Sequence, residues 1–478
     1  MRIVFIEPKS PNLHIFSRFK LPRIGCTLLA TIARDQGHRA RVFVEELAEI
    51  DWDEVKRADL VGISTITSTA PRAYALADKI RRMGIKVVLG GPHVTYLPEE
   101  AVKHADYVLV GEAEHTFLEL LEHLEGKRQE KDVHNLVRSA KGRRIVRTEL
   151  SGERVDIDKN PAPDFSLVRG FQGAATNFHG RVIPIQVSRG CPHDCSFCSV
   201  TGMFGRKMRY RSTQNVIREL SQYNDKKYHI FFYDDNFAAS PRRAKELIMA
   251  MLRMGTNFTW STQLRADAAR DVGLLELMSA ANCVAVYIGV ESVNPESLRL
   301  SKKRQDLEET RENLLRFHKS GIQVHGMFVL GFDTDGPDSW KATVQFAKDT
   351  HIATIQALIL TPLPGSRTFD ELSSAGRIMF KDWSLYDSHH VVFRHPTMSP
   401  EQLQNAHIQA HRAFYSNRKI ARGLMHRDWA NVAIAVYARG LQSKWIQKND
   451  IYMKALKLLT PTPQLEIMLD MKMPALVD

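Results

Sequence analysis

The stretch VIPIQVSRGCPHDCSFC, residues 182–198, joins a run of apolar and β-branched residues to a loop that holds three cysteines. The whole chain has 478 residues and only five cysteines, so three of them within eight residues form a distinct feature. A short apolar run that ends at glycine and proline is typical of a buried strand leading into a loop. The stretch therefore predicts a strand that delivers Cys191, Cys195 and Cys198 to one edge of a sheet.

Five further strand-like runs follow this one, with helix-like segments between them. They read YHIFFYDD (228–235), FTWSTQLRAD (258–267), CVAVYIGVES (283–292), QVHGMFVLGFD (323–333) and TIQALILTPLP (354–364). Six such repeats are typical of an open, partial version of a TIM-type βα barrel, which we predict for residues 181–377. Chemistry on a barrel of this kind takes place at the loops that follow the carboxyl ends of the strands.

The first 130 residues show another alternation of strands and helices, which predicts a flavodoxin-like, doubly wound parallel sheet. Its strand-like runs are RIVFIEP (2–8), ARVFVEE (40–46), DLVGIST (59–65), KVVLGGP (86–92) and DYVLVGE (106–112). Ligands of such sheets bind beyond the carboxyl ends of the strands. In this chain the candidate ligand-binding residues at those ends are Ser64, Thr65, Thr67, Ser68, Gly90, Gly91, Pro92, His93, Gly111 and Glu112. Tight turns and helix caps would also account for them.

Two further segments complete the chain. Residues 131–180 contain a hairpin pattern and the proline-rich run DKNPAPDFSLV, and we predict that they form a linker. Residues 378–478 become helical and basic, with a favourable helix start at Ser399-Pro400-Glu401.

The composition is ordinary for a globular protein, with 44% hydrophobic and 25% charged residues. Five cysteines do not make a disulfide framework, so we expect a reducing, cytoplasmic location. The N-terminus reads as a strand rather than a signal peptide, and no apolar run approaches the roughly 20 residues of a membrane span. The net charge of +12 allows an acidic substrate, peripheral contact with an anionic membrane or a merely solvated basic surface. Because no dense basic block is interleaved with aromatic residues, the sequence does not favour a nucleic-acid partner.

Three thiolates on one loop can hold a soft metal centre. Structural zinc normally takes four ligands, often from two Cys-x-x-Cys pairs, and no second pair is present. Cys26 and Cys283 stand alone in apolar surroundings, so we expect them to be core thiols. A redox Cys-x-x-Cys pair would leave Cys191 unused. A four-iron cluster with three cysteine ligands and one open iron uses all three, and an open iron indicates an enzyme rather than an electron carrier.

The spacing Cys-x-x-x-Cys-x-x-Cys, with the aromatic Phe197 before the last cysteine, resembles the signature of radical S-adenosylmethionine (SAM) enzymes. The resemblance implies a 4Fe-4S cluster whose open iron chelates the amino and carboxylate groups of SAM. It also implies that one electron from the cluster cleaves SAM to a 5′-deoxyadenosyl radical.

The same resemblance implies SAM contacts along the whole barrel. FYDDNF would contact the amino group of the methionine moiety, and the end of the third strand would contact its carboxylate. YIGVES would contact the ribose and the carboxylate, and the backbone of GMFVLGFDTD would contact the adenine. The residues so implied are Phe197, Asp234, Asp235, Gln263, Arg265, Glu291, Ser292, Leu330 and Gly331. Helix capping at a βα turn is the alternative role for Asp234, Asp235 or Glu291 taken singly.

The N-terminal domain, with GGPH, LPEEA and ADYVLVGEAEHTFLELL, resembles the cobalamin-binding domain of one large class of radical SAM enzymes, and the similarity covers essentially the full chain. It implies cobalamin at the residues named above for the first sheet. The Asp-x-His-x-x-Gly motif that supplies a histidine to cobalt in other cobalamin proteins is absent, because the corresponding stretch is EPKSPNLHIF (7–16). His14 in that stretch has the wrong spacing, so no histidine ligand is expected.

The class implies methylation of an unactivated carbon, with cobalamin carrying the methyl group. A radical cyclase or a carbon–carbon bond-forming or rearranging enzyme of the same architecture is the nearest alternative, followed by a methylthiotransferase and a non-catalytic metal-binding protein. The expected partners are a small-molecule or lipid-like substrate and an electron donor such as flavodoxin or ferredoxin.

Overall fold

The computed structural model describes residues 1–12, 21–140, 144–171, 176–177 and 180–459. Fourteen of the sixteen strands of these residues form two seven-stranded sheets, each made mainly of parallel strands with helices packed against them. This is the predicted α/β class. The other two strands, Ser188–Arg189 and Arg209–Tyr210, form a small antiparallel sheet of their own. Within these ranges no helix is long and apolar enough to cross a membrane.

The first sheet contains the strands β1 Arg2–Glu7, β2 Arg39–Val44, β3 Leu60–Ser64, β4 Lys86–Gly90, β5 Tyr107–Leu109, β6 Leu136–Ser139 and β7 Ile145–Arg147. Its helices are α1 Ile24–Asp35, α2 Trp52–Lys56, α3 Ala70–Arg82, α4 Pro92–Tyr96, α5 Pro98–Ala101 and α6 Glu114–Leu124. The parallel strands follow the order β2-β1-β3-β4-β5, which is the flavodoxin-like order and confirms the prediction. Because helices cover both faces, β1, β3 and β4 are apolar almost throughout.

The strands β6 and β7 lie in the segment predicted as a linker. They form the expected antiparallel hairpin, and β6 pairs antiparallel with β5, so this hairpin extends the first sheet. Further along, the backbone N–H of Asp164 donates to Thr31 Oγ1 on α1 at 2.9 Å. The segment is therefore packed on the first domain along much of its length.

The second half contains the strands β8 Thr176–Asn177, β9 Gly180–Ile185, β10 Ser188–Arg189, β11 Arg209–Tyr210, β12 Tyr228–Phe232, β13 Thr259–Leu264, β14 Cys283–Glu291, β15 Gln323–Leu330 and β16 Thr354–Ile359. Its helices are α7 Val200–Phe204, α8 Thr213–Ser221, α9 Pro241–Met254, α10 Val272–Ala280, α11 Pro295–Leu300, α12 Leu307–Lys319, α13 Ser339–Asp349 and α14 Arg367–Ser374. Six strands, β9 and β12 to β16, are parallel neighbours in chain order, which confirms the partial barrel.

Four helices end the described chain: α15 Pro400–Phe414, α16 Asn417–Met425, α17 Trp429–Lys448 and α18 Asp450–Leu459. Ser399 caps the first of them by accepting a hydrogen bond from Gln402 N at 3.1 Å, as the sequence predicts. Residues 378–399, which were also predicted to be helical, form mostly turns and irregular chain, with a single short 3-10 helix at Trp383–Leu385 and a β-bridge between Ile378 and Phe393.

The helix α15 covers the free edge of β16, where an open barrel leaves backbone groups without strand partners. The Tyr415 hydroxyl accepts from Ile355 N at 3.0 Å and donates to Ile355 O at 2.8 Å. His411 Nε2 lies 3.1 Å from Ala357 O, and Lys419 Nζ donates to Ala353 O at 2.7 Å. Side chains of the C-terminal region thus form hydrogen bonds with the backbone of an edge strand that could otherwise pair with another strand.

Candidate active site

A cavity of about 340 Å³ lies between the carboxyl ends of the two sheets. The first domain contributes the ends of β3 and β4, the loop after β5 and the start of α1. The barrel contributes Gln186, Arg189, Tyr233, Asp235 and Gln263. Most other walls are apolar, among them Phe5, Ile24, Leu28, Leu29, Leu109, Phe117, Met203 and Phe204. An apolar cavity with few polar groups is the usual form of a cofactor or small-molecule site.

The cysteine loop follows β9 and β10 at the carboxyl end of the barrel, as predicted. Gly190 begins it with φ +96°, and a Cβ there would lie 2.7 Å from Lys207 O, so only glycine allows this turn. Ser196 N donates to Ser301 O at 2.9 Å, and the Tyr96 hydroxyl donates to Ser199 O at 2.8 Å. The loop is therefore held by the barrel on one side and by the first domain on the other.

The three thiols share one partly buried site. Burial raises the pKa of each of them. For Cys198, burial together with the nearby Cys195 and Cys191 raises the pKa to about 12. Lys303 and Arg265 lower the pKa of Cys191 and Cys195 and so favour the thiolates that iron requires.

The neighbouring carboxylates Asp234 and Asp235 have different surroundings. Asp234 is fully buried and accepts hydrogen bonds from Val187 N at 3.1 Å and from the Ser188 backbone and hydroxyl. Asp235 instead faces the cavity. Its side chain is accessible to a water molecule there, but many protein atoms lie around it. That surrounding protein raises the pKa of Asp235 to about 6, while Arg189 opposes the shift. Of the two, Asp235 is the carboxylate available to a ligand.

Glu291 lies at the end of β14 in a left-handed conformation, with φ 64°. Its carboxylate folds back over Gly289 and meets Lys303 Nζ at 2.7 Å, and both side chains are about nine-tenths buried. Arg265 donates to the carbonyl oxygens of Lys303 and Arg304, each at 3.2 Å, and so fixes the segment that carries the lysine. The sequence pattern predicted Glu291 and Arg265 but gave no signal for Lys303.

The remaining predicted SAM residues are dispersed along the same edge of the barrel. Gln263 lines the cavity and donates to Asp234 O at 3.4 Å. Ser292 is buried and accepts from Asn294 N at 3.0 Å, while Gly331 N donates to Asp335 Oδ2 at 2.8 Å and the Leu330 carbonyl accepts from Leu360 N at 2.9 Å. Phe197 packs edge-on against Phe332 with ring centroids 6.0 Å apart. The Leu330–Gly331 backbone thus has partners within the protein.

The predicted cobalamin residues divide into two groups. Those that line the cavity are Ser64, Gly90, Gly91, Pro92, Gly111 and Glu112. Thr65, Thr67, Ser68 and His93 are buried behind that wall, and His93 Nε2 lies 3.5 Å from Glu100 with its ring against Trp383. His14 lies outside the described residues.

The glycines of the first domain form an open cradle. A Cβ added at Gly25, Gly90 or Gly111 would meet nothing within 4 Å, so each backbone is exposed to the cavity. Gly91 is constrained differently, since its φ is +103° and a Cβ would lie 2.4 Å from Thr65 O. Side chains at these positions would fill the cavity. A surface without side chains is what we expect where a large flat cofactor is bound through its shape.

An ionic network that the sequence analysis did not predict joins the two domains at the wall of the cavity. Arg189 Nη1 lies 2.8 Å from Glu112 Oε1 and 2.5 Å from Glu114 Oε1, and Arg209 Nη1 lies 2.9 Å from Glu112 Oε2. The side chains of Arg189, Glu112 and Glu114 are less than a tenth exposed. Arg189 stands two residues before Cys191, so the network connects the cysteine loop to the first domain.

Both domains match known families. Residues 185–347 match the model of the radical SAM superfamily, and residues 16–121 match that of the B12 binding domain. The chain is 30% identical over 368 residues to the bacteriochlorophyllide d C-12(1)-methyltransferase of Chlorobaculum tepidum, covering 76% of each chain. This chain belongs to the family of cobalamin-dependent radical SAM methyltransferases.

Members of this family are enzymes, and the two domains imply a 4Fe-4S cluster, SAM and cobalamin as cofactors. The anaerobic magnesium-protoporphyrin IX monomethyl ester cyclase of Rubrivivax gelatinosus is also similar, at 24% identity over 87% of this chain and 78% of the cyclase. The solved structure of the radical SAM methyltransferase TsrM from Kitasatospora setae, with cobalamin and a 4Fe-4S cluster bound, has a TM-score of 0.69. It covers 87% of this chain and 89% of TsrM at 16% identity, which confirms the fold.

Proposed function

We propose that this enzyme methylates an unactivated carbon of an apolar small molecule held between the two sheets. The observation that carries the proposal is the shared cavity, with the glycine cradle on one wall and Asp235 on the other. Asp235 is near enough to Cys191 and Cys198 to raise the pKa of both thiols, so the cluster site adjoins this cavity. Two cofactor sites and a substrate can therefore meet in one space.

When bound, the cluster with SAM supplies the 5′-deoxyadenosyl radical, and cobalamin supplies the methyl group. The chain provides the ligands Cys191, Cys195 and Cys198 and a cavity whose walls are largely apolar. Phe5, Phe117, Met203 and Phe204 form apolar parts of its wall and keep other hydrogen donors away from a reactive radical.

For SAM, we assign three polar groups. Asp235 accepts a hydrogen bond from the ammonium group, because its carboxylate faces the cavity next to the cysteine loop. Gln263 contacts the carboxylate from the same wall. Lys303 holds Glu291 in place, so that the second carboxylate oxygen is free to accept the ribose hydroxyls. Asp234 orders the backbone at Val187 and Ser188 rather than contacting SAM.

For cobalamin, we assign the cavity-facing backbone at Ser64, Gly90, Gly91 and Gly111. His93 is turned toward Glu100 and Trp383 and supplies no ligand to cobalt. Glu112, although it borders the cavity, is committed to Arg189 and Arg209 and maintains the contact between the domains.

For the substrate, the largely apolar walls support a flat or lipid-like molecule. The Chlorobaculum relative is named for methylating a bacteriochlorophyllide, and the Rubrivivax relative for cyclising a magnesium-protoporphyrin ester. A tetrapyrrole-like substrate agrees with both names and with the cavity. Radical SAM enzymes require an electron donor, and we propose flavodoxin or ferredoxin for this role.

The second relative makes a radical cyclase the competing function, and one anaerobic experiment separates the two. The protein, reconstituted with iron, sulfide and cobalamin, is supplied with a reductant and SAM labelled with deuterium in its methyl group. Methyl transfer predicts S-adenosylhomocysteine in an amount at least equal to the bound cobalamin, even without substrate. 5′-Deoxyadenosine formed without any S-adenosylhomocysteine would favour the cyclase, and a colourless protein with no iron would contradict both functions.

A further inference from the structure

The helices α16 and α17 form a hairpin that exposes large apolar side chains at its turn. Leu424, Met425 and Trp429 are 47%, 75% and 64% exposed, and Val436 is 54% exposed farther along α17. The turn is well built, because Asp428 caps α17 through Asn431 N at 3.3 Å and Gly423 packs directly against Val432. We call Leu424, Met425, Trp429, Ala433 and Val436 the hairpin surface.

The helix α17 is apolar on two opposite sides. Its inner side buries Ala435, Ala438 and Trp445 against the protein. Its outer side presents Trp429, Ala433 and Val436 to solvent at the helical spacing i, i+4, i+7. A surface helix normally carries charged or polar residues on its solvent side, so the outer side of α17 requires an apolar partner.

The hairpin surface is surrounded by positive charge. Residues 417–459 contain nine lysines and arginines but only two aspartates and no glutamate, in a chain whose net charge is +12. Arg418 and Arg422 are exposed about two turns and one turn before Met425, and Arg427 is exposed within the turn itself. The partner of this surface is therefore both apolar and negatively charged.

We infer that the hairpin surface docks on the face of an anionic lipid bilayer. Leucine, methionine and tryptophan enter the boundary between headgroups and acyl chains, while neighbouring arginines contact lipid phosphates. Anionic lipids attract basic segments of this kind through their surface potential. The contact is peripheral, since no helix of residues 180–459 is able to span a bilayer.

A second copy of the chain is a weaker candidate for the same surface. In a two-fold dimer through the hairpin, Arg418, Arg422 and Arg427 would face the same three arginines of the other chain. Like charges at such an interface oppose association, whereas an anionic membrane neutralises them.

The test is sedimentation of the full-length, reconstituted enzyme with vesicles. Binding is expected to vesicles containing about 30% phosphatidylglycerol in phosphatidylcholine, and to be much weaker with phosphatidylcholine alone. Raising the salt concentration from about 0.05 to 0.5 M should release the protein. Equal partitioning into both kinds of vesicle would overturn the inference.

Two triple variants test the two components of the surface. Leu424→Ser/Met425→Ser/Trp429→Ser should weaken partitioning roughly tenfold or more. Arg418→Gln/Arg422→Gln/Arg427→Asn should weaken it roughly 100-fold, with asparagine chosen because position 427 has φ 55°. The controls alter exposed residues of the same kinds elsewhere: Met83→Ser/Met249→Ser/Val272→Ser and Arg57→Gln/Arg82→Gln/Arg253→Gln.

The controls should partition like the parent, and all variants should still cleave SAM in detergent-free solution. Variants of the hairpin surface that bind vesicles as strongly as the parent would overturn the inference. A serine variant that converts a dimer to a monomer, in a protein that binds no vesicles, would assign the surface to a second copy instead. SAM cleavage is measured separately, so failure here does not bear on the proposed reaction.

Discussion

On the wall contributed by the first domain, the polypeptide approaches the cavity with Gly25, Gly90 and Gly111, where no side chain intervenes. On the wall contributed by the barrel, it presents Asp235, Gln263 and Arg189. Both walls are built from loops at the carboxyl ends of parallel strands, yet the glycines of the first provide shape and the side chains of the second provide charge and ligands.

The difference predicts opposite sensitivities. A wall that binds by shape is disrupted by added atoms, because a new side chain occupies the space of the cofactor. A wall that binds by charge is disrupted by removed atoms, because the partner charge or metal then lacks a ligand. Substitutions on the two walls should therefore separate the cobalamin site from the cluster and SAM site.

The largest effect is expected on the barrel wall at the cysteines. Cys191→Ala, Cys195→Ala or Cys198→Ala should each abolish the 4Fe-4S cluster and SAM cleavage, with the fold and cobalamin uptake retained, since the loop contributes little to the core. Iron content and the visible absorption spectrum measure this. Cys283→Ala, which removes a fully buried thiol of β14, is the control and should keep its cluster. A wild-type rate of 5′-deoxyadenosine formation in any loop variant would show that its cysteine is not a ligand.

The contact between the walls should be the next most sensitive feature. Arg189→Met removes the arginine partner of the buried Glu114 and one of the two arginines close to Glu112, and breaking a buried pair typically costs about 3–5 kcal/mol of stability. Urea unfolding would measure the loss. Arg299→Met, which breaks an exposed pair with Glu296, should cost less than about 1 kcal/mol. Equal losses in the two variants would mean that the domains do not depend on this network.

A smaller effect is expected for SAM affinity at Glu291. Glu291→Ala removes a charged hydrogen-bond acceptor worth roughly 1.5–3 kcal/mol, so SAM should bind about 10- to 150-fold more weakly while iron is retained. Equilibrium dialysis with labelled SAM measures this, with Glu296→Ala as the exposed control. Unchanged affinity would return Glu291 to a structural role with Lys303.

The smallest effect concerns pH. The pKa of Asp235 is raised to about 6 by the surrounding protein, so the carboxylate is mostly neutral at pH 5 and mostly ionised at pH 7. The SAM ammonium stays protonated over this range, since α-amino groups titrate near pH 8. SAM should therefore bind up to about tenfold more weakly at pH 5 than at pH 7, and Asp235→Asn should abolish this dependence. The same slope in the variant would exclude Asp235 as the acceptor.

Much of this site follows from local sequence patterns. The strands, the cysteine loop and the glycines after β4 and β5 are each encoded within about ten residues, which periodicity and spacing can show. The different environments of Asp234 and Asp235 could also have been predicted, because successive residues of an extended chain point to opposite sides.

The ionic network could not be predicted from local sequence patterns. Glu112 pairs with Arg189 and Arg209, which are 77 and 97 residues away in sequence. Its position after β5 made it a candidate for cobalamin, and only the packing of the two domains shows that its carboxylate is already engaged. Lys303 was missed for the same reason, since a lysine in SKKRQ has no local feature that indicates a buried partner. Cys26 was correctly expected to be buried, but its position on the cavity wall depends on how α1 packs.

The most direct test of the cavity wall contributed by the first domain is cobalamin uptake by Gly25→Leu, compared with that by Gly440→Leu. Both glycines lie within helices and have nothing within 4 Å of an added Cβ, but only Gly25 borders the cavity. After anaerobic reconstitution, Gly25→Leu should retain its cluster and lose cobalamin, while Gly440→Leu should bind both at parent levels. A Gly25→Leu protein that binds one cobalamin per chain, or that loses the cluster as well, would contradict the assignment of the two cofactors to opposite walls of one cavity.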